Sequence, residues 1–138
     1  FDKSFGSGRI YIWQEVSSRI WDRPFIGFGP DSMIMAGMEF RHYSEVLGRE
    51  AVAAIDTAHN EYLNVLYHQG VLGLICYISM LAITFVNWIK TKSRPVAMIG
   101  TGIFGYCVQA FFGFSMCINA PFFWAALGLL TAGLKERT

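Results

Sequence analysis

Hydrophobic and polar positions divide this chain into two unlike parts. From Tyr62 to Ile89, and again from Pro95 to Leu134, there is no Asp, Glu, Lys or Arg. Charge-free apolar runs longer than about 18 residues read as membrane-spanning helices. The first predicted span covers 63–89, with its membrane core at 70–89, and the second covers 96–114. A short loop, 115–120, leads to a third span at 121–134, which is short for a bilayer about 30 Å thick. Residues 1–62 are mixed instead. Over 9–21, Ile12, Trp13, Val16 and Ile20 fall in one arc of a helical wheel while Gln14, Glu15 and Ser18 lie elsewhere, so an amphipathic helix is predicted. Pro24 ends it, because the residue before a proline avoids the helical region. Gly27-Phe28-Gly29-Pro30 reads as a tight turn. A second helix, rich in Met and aromatics, is expected over 31–47, followed by a short helix or linker over 48–55.

The pattern predicts an all-α integral membrane protein, with an external helical loop at 1–62 and a three-helix transmembrane region at 63–138. The chain begins at Phe1 with no initiator Met and no signal-peptide pattern, and it reads as the C-terminal fragment of a larger multi-pass protein. The missing N-terminal transmembrane helices of the same chain, together with membrane lipids, are then its expected neighbours.

Charge adds an orientation. Nine of the ten acidic residues fall between Asp2 and Glu61, whereas Lys90, Lys92 and Arg94 follow the first span and Lys135 and Arg137 close the third. The positive-inside rule puts both basic clusters in the cytoplasm, and 1–62 and 115–120 outside. A net charge of +1 gives no reason to expect nucleic acid. His42, His59 and His68 show no HExxH spacing, and Cys76, Cys107 and Cys117 no CxxC, so neither metal nor cofactor is expected. Phe111, Phe112, Phe114, Phe122, Phe123 and Trp124 flank the 115–120 loop as an interfacial aromatic belt, with lipid-chain or sugar stacking as the alternative.

The candidate chemistry lies in Asp56 to Gly73. A His59-Asn60 pair precedes the first span, nine residues separate it from Gly70, and Gly73 follows. On a helix starting by His59, His59 and Gly70 would stand about 20° apart and Gly73 about 40° to the other side. That predicts one stripe, with an imidazole at its outer end and two helix-packing glycines deeper in.

This ordered set resembles the C-terminal part of the O-antigen ligase and polymerase family. Members carry a large external loop ending in His, then Asn, Ser or Gln, nine residues, Gly, two residues and usually Gly. Upstream, Ser7-Gly8-Arg9, Trp13 and Pro24-Phe25-Ile26-Gly27-Phe28-Gly29-Pro30 are similar to the family's Ser-Gly-Arg, its Trp and its Pro-x-x-Gly-x-Gly-Pro turn. The ligase branch often has Arg-x-x-x-Leu where this chain has Arg9-x-x-x-Trp13. The resemblance implies a membrane glycosyltransferase of the bacterial plasma membrane. It would move a glycan from an undecaprenyl-diphosphate carrier to an acceptor glycan, lipid or protein hydroxyl on the outer face. A repeat-unit polymerase is the alternative within the chemistry. A carrier or scaffold segment is the alternative outside it, although a carrier calls for ionisable groups within the spans.

On that reading His59 is the catalytic base, because a neutral imidazole can take the proton of a hydroxyl at neutral pH. Its plain alternative is a helix-end histidine bonded to backbone or water. Asn60 either orients a sugar hydroxyl or the imidazole, or caps the helix. Asp56 either holds the imidazole or is itself the cap, and Glu61 faces away. Arg9 is the expected diphosphate-binding residue, since a guanidinium holds phosphate oxygens with paired hydrogen bonds. Arg19 and Arg23 are further substrate-binding candidates, with solvation or ion pairing as their other reading. Arg41 and Arg49 are left open.

Overall fold

The computed structural model describes residues 8–44, 48–116 and 118–135, without the side chains of 42–44 and 134–135. Ser7, Cys117, Arg137 and the side chains of His42 and Lys135 therefore lie outside the described residues. Contacts divide the chain into two units, Phe1–Leu74 and Ile75–Thr138.

In the first unit, helix α1 (Arg9–Ile20) follows Gly8, whose φ of 77° lets the chain turn into the helix. It buries Ile12, Val16 and Ile20 against Met33, Met38, Ile55, Ala58 and Tyr67. This is the predicted amphipathic helix, and Pro24 lies just beyond its end. The predicted helix at 31–47 is not there. Helix α2 (Ser32–Met35) makes one turn, and Gly37, at φ 63°, ends it. Strand β1 (Glu39–Ser44) then pairs antiparallel with β2 (Arg49–Ala54), from Glu39↔Ala54 to Ser44↔Arg49. The fold is mostly helical but not all-α. Val52 and most of β2 are exposed, so β2 shows no apolar alternation to betray it.

Helix α3 (Glu61–Ile89) starts after His59 and is interrupted at Gly70, where φ is 70° and ψ −174°. The expected stripe of His59, Gly70 and Gly73 is therefore absent: His59 is outside the helix, and the break at Gly70 resets the wheel. Gly73 makes room for its own helix's Gln69, whose Cβ would lie 2.4 Å from an added methyl. Helix α3 is long and apolar enough to cross a membrane, and only 6% of its most apolar window is buried, unlike the enclosed core helix of a soluble domain.

In the second unit, the C-terminal part of α3 is joined by α4 (Arg94–Gln109) and α5 (Ala120–Lys135) around Val96, Ile103, Phe123, Leu127 and Leu130. The Trp88 indole donates to the Ala97 carbonyl at 3.0 Å and lies where a side chain at 100 would stand, which makes Gly100 necessary. Helices α4 and α5 have 16 residues each, about 24 Å at 1.5 Å per residue. They lie where the second and third spans are predicted, but among the described residues α3 alone is long and apolar enough to cross a membrane, and α4 stops at Gln109 rather than 114.

Candidate functional site

The segment 55–60 carries the candidate base, and it is tied down on every side. Ile55, Thr57, Ala58 and Asn60 are buried, and His59 is half-buried. His59 stands at φ 49°, a left-handed conformation that residues other than Gly adopt only where neighbours hold them. Asn64, one turn into α3, supplies much of that hold. Its Oδ1 accepts the Ala58 amide at 2.8 Å, and its Nδ2 donates to Thr57 Oγ1 at 2.8 Å. Thr57 Oγ1 also accepts the His59 amide at 3.4 Å. From α1, the Trp13 indole donates to the Ala58 carbonyl at 2.8 Å. Asn60 caps α3, its Oδ1 accepting the Leu63 amide at 3.0 Å and its backbone carbonyl the Asn64 amide at 2.9 Å. Asp56 is exposed, and the cap is Asn60.

Trp13 brings Arg9 into the account. Positions four apart share a face of a helix. Arg9 is thus one turn along α1 from the indole that holds the residue beside His59, and it is half-buried with no hydrogen bond or ion pair among the described residues. Arg19 is engaged. Its Nε and Nη2 hold Glu15 Oε1 at 3.2 and 3.1 Å, and its Nη1 donates to the Ala36 carbonyl at 3.4 Å. Arg23 is exposed, its guanidinium carbon 5.7 Å from the centre of the Phe28 ring. Arg41 is an exposed strand residue, 3.9 Å from Glu39, and Arg49 opens β2.

The glycine-rich turn has a definite partner. An unbroken helix would pair the Tyr67 carbonyl with the Val71 amide and the His68 carbonyl with the Leu72 amide. At the Gly70 break the turn takes over all four groups. The amides of Phe28 and Gly29 donate to the carbonyls of Tyr67 and His68 at 3.0 and 2.9 Å. The carbonyls of Pro24 and Phe25 accept from the amides of Val71 and Leu72 at 2.8 and 3.4 Å. Phe28 stacks on Tyr67 with ring centres 4.7 Å apart. His68 Nδ1 lies 2.9 Å from the Asn64 carbonyl, which can only accept, so Nδ1 carries the proton. The Asn64 residue thereby links the His59 loop, through its side chain, to the helix break, through its backbone. Among the described residues no three His, Cys, Asp or Glu side chains come together as a metal site.

Sequence reasoning singled out His59, Asn60, Arg9 and Trp13 but not Thr57 or Asn64. The signal for Asn64 is its place one turn after an N-cap, where an amide can reach back to the preceding loop.

A family model described as O-antigen ligase matches residues 1–78. The chain is similar to the ComP-specific O-oligosaccharyltransferase of Acinetobacter baylyi (strain ATCC 33305 / BD413 / ADP1), 30% identical over 116 residues. That match covers 81% of this chain and 19% of the relative, so the chain spans about a fifth of the curated protein's length. No solved structure matches.

Proposed function

The chain belongs to the O-antigen ligase family, and from that premise we propose that it supplies the base-bearing part of a membrane enzyme that joins a lipid-linked glycan to an acceptor hydroxyl. The observation that carries the proposal is the fixation of His59. A general base works only when its geometry is held, and four hydrogen bonds from Trp13, Asn64 and Thr57 hold the two residues before it and its own amide.

The donor is a glycan on undecaprenyl diphosphate. His59 takes the proton of the acceptor hydroxyl, whose oxygen attacks the anomeric carbon. The bond from that carbon to the phosphate oxygen breaks, and undecaprenyl diphosphate leaves with the electron pair. Direct displacement inverts the anomeric centre. Arg9, whose guanidinium has no ion pair among the described residues, neutralises the departing diphosphate. Arg23, which is exposed, is a second cation for the same role. The Arg19 fork is taken by Glu15, so Arg19 holds α1 instead. Asn60 acts by starting α3 where it does.

Helices α3, α4 and α5 each cross the bacterial plasma membrane, and residues 1–62 lie on its outer face. The two shorter helices tolerate the mismatch by local thinning of the bilayer. The basic residues Lys90, Lys92 and Arg94, between α3 and α4, support this orientation. The rest of the parent protein completes the site. The test is glycan transfer by the full-length parent in membranes, wild type against His59→Ala. Label on a separate acceptor identifies a ligase, and lengthening carrier-linked chains identify a repeat-unit polymerase.

A further inference from the structure

The second unit has a cleft of its own, unlike its apolar surroundings. It is an open groove of about 370 Å³ where the C-terminal end of α4 meets the start of α5. Its lining includes Gly102, Tyr106, Gln109, Asn119, Phe122 and Phe123. That size falls within the range of small-molecule sites. The cleft lies at the end of α4 away from Arg94, about 22 Å along the helix axis, which the proposed topology puts at the outer face.

Its chemistry is specific. Tyr106 stacks on Phe123 with ring centres 4.5 Å apart and 24° between planes, and its hydroxyl lies 3.0 Å from Ser115 Oγ. Phe122 is 75% exposed at the rim. The Gln109 and Asn119 side-chain amides are exposed and have no hydrogen-bond partner among the described residues. Two carboxamides on one lining leave donors and acceptors open to a ligand. Gly113 leaves room for the Gln109 amide, whose Nε2 would lie 2.5 Å from a methyl added there.

We infer that this cleft is a saccharide subsite, in which the Gln109 and Asn119 amides bond sugar hydroxyls and the Phe122 ring covers the apolar face of the sugar. A hydroxyl donates and accepts at once, and a carboxamide offers both complements with no net charge. A flat aromatic ring matches the C–H face that the hydroxyls leave bare. A hydrocarbon tail would fill the cleft without satisfying either amide. The choice of ligand rests on the glycan-transfer reading; the cleft and its unpaired amides do not.

The test uses the full-length parent in membranes and an undecaprenyl-diphosphate-linked oligosaccharide with a diazirine on its sugar. After irradiation, labelled peptides are mapped, with free oligosaccharide as competitor. The expected result is competable label within 109–123. Gln109→Ala/Asn119→Ala should weaken capture and raise KM about tenfold, with kcat close to wild type. Gly113→Ala, which displaces the Gln109 amide, should act in the same direction. Label confined to other segments, with KM unchanged in all these variants, overturns the inference even if transfer depends on His59. Label at 109–123 in a parent that transfers nothing supports the subsite and removes the transfer reading.

Discussion

Gly27 and Gly70 meet backbone to backbone: a methyl on Gly27 would stand 2.6 Å from the Gly70 nitrogen, and one on Gly70 would stand 2.3 Å from the Phe25 carbonyl. Both residues have positive φ, 67° and 70°. Two glycines far apart in sequence are thus one structural device. The first lets the turn approach, and the second opens the helix to receive it.

Gly70→Ala should destabilise the parent by at least about 2 kcal/mol, since alanine resists the left-handed region and its methyl overlaps the turn. Gly105→Ala, with nothing within 4 Å of the added carbon, should leave stability near wild type. Thermal unfolding in detergent compares the two. Equal midpoints would remove the turn-to-break junction as a stabilising element.

Trp13→Phe keeps an aromatic ring, though a smaller one, and strips the Ala58 carbonyl of its donor. A cost of about 1–2 kcal/mol in stability is expected. Transfer should lose about tenfold or more in kcat, because a base displaced by a fraction of an ångström works poorly. Steady-state kinetics should show that loss in kcat, with KM little changed.

Asn60→Ala removes the α3 cap and should cost about 1 kcal/mol, whereas Asn60→Ser keeps a capping oxygen and should cost less. If instead both variants lose transfer while stability holds, Asn60 touches substrate rather than capping the helix.

Arg9→Lys retains a cation but not the paired donors of a guanidinium. Arg9→Ala should raise KM for the lipid-linked donor and lower kcat, and Arg9→Lys should recover only part of each. Full recovery by lysine would mean that Arg9 contributes charge alone.

Helix α1 was legible in the sequence because Ile12, Val16 and Ile20 keep a helical period and all reach one core. The apolar helices were legible because composition alone marks them. The β1–β2 hairpin was hidden, since backbone pairing holds it and neither face of β2 is buried. The break at Gly70 was hidden for another reason. The apolar pattern runs through it unchanged, and what interrupts the helix is a turn some forty residues upstream, from Pro24 to Gly29. The spacing from Asn60 to Gly70 therefore measures the distance from a cap to a docking point, not a helical stripe. Of the candidate site, His59 and Arg9 could be read from motif position, but the Thr57 and Asn64 lock depends on a reach-back that no period encodes.

The central claim is that His59 accepts the acceptor's proton. The most direct measurement is the initial rate of glycan transfer in membranes containing the full-length parent, wild type, His59→Ala and His59→Gln. Both variants should lose about 10²–10⁴ in kcat, with the protein still folded and inserted. Variants that transfer at the wild-type rate would contradict it.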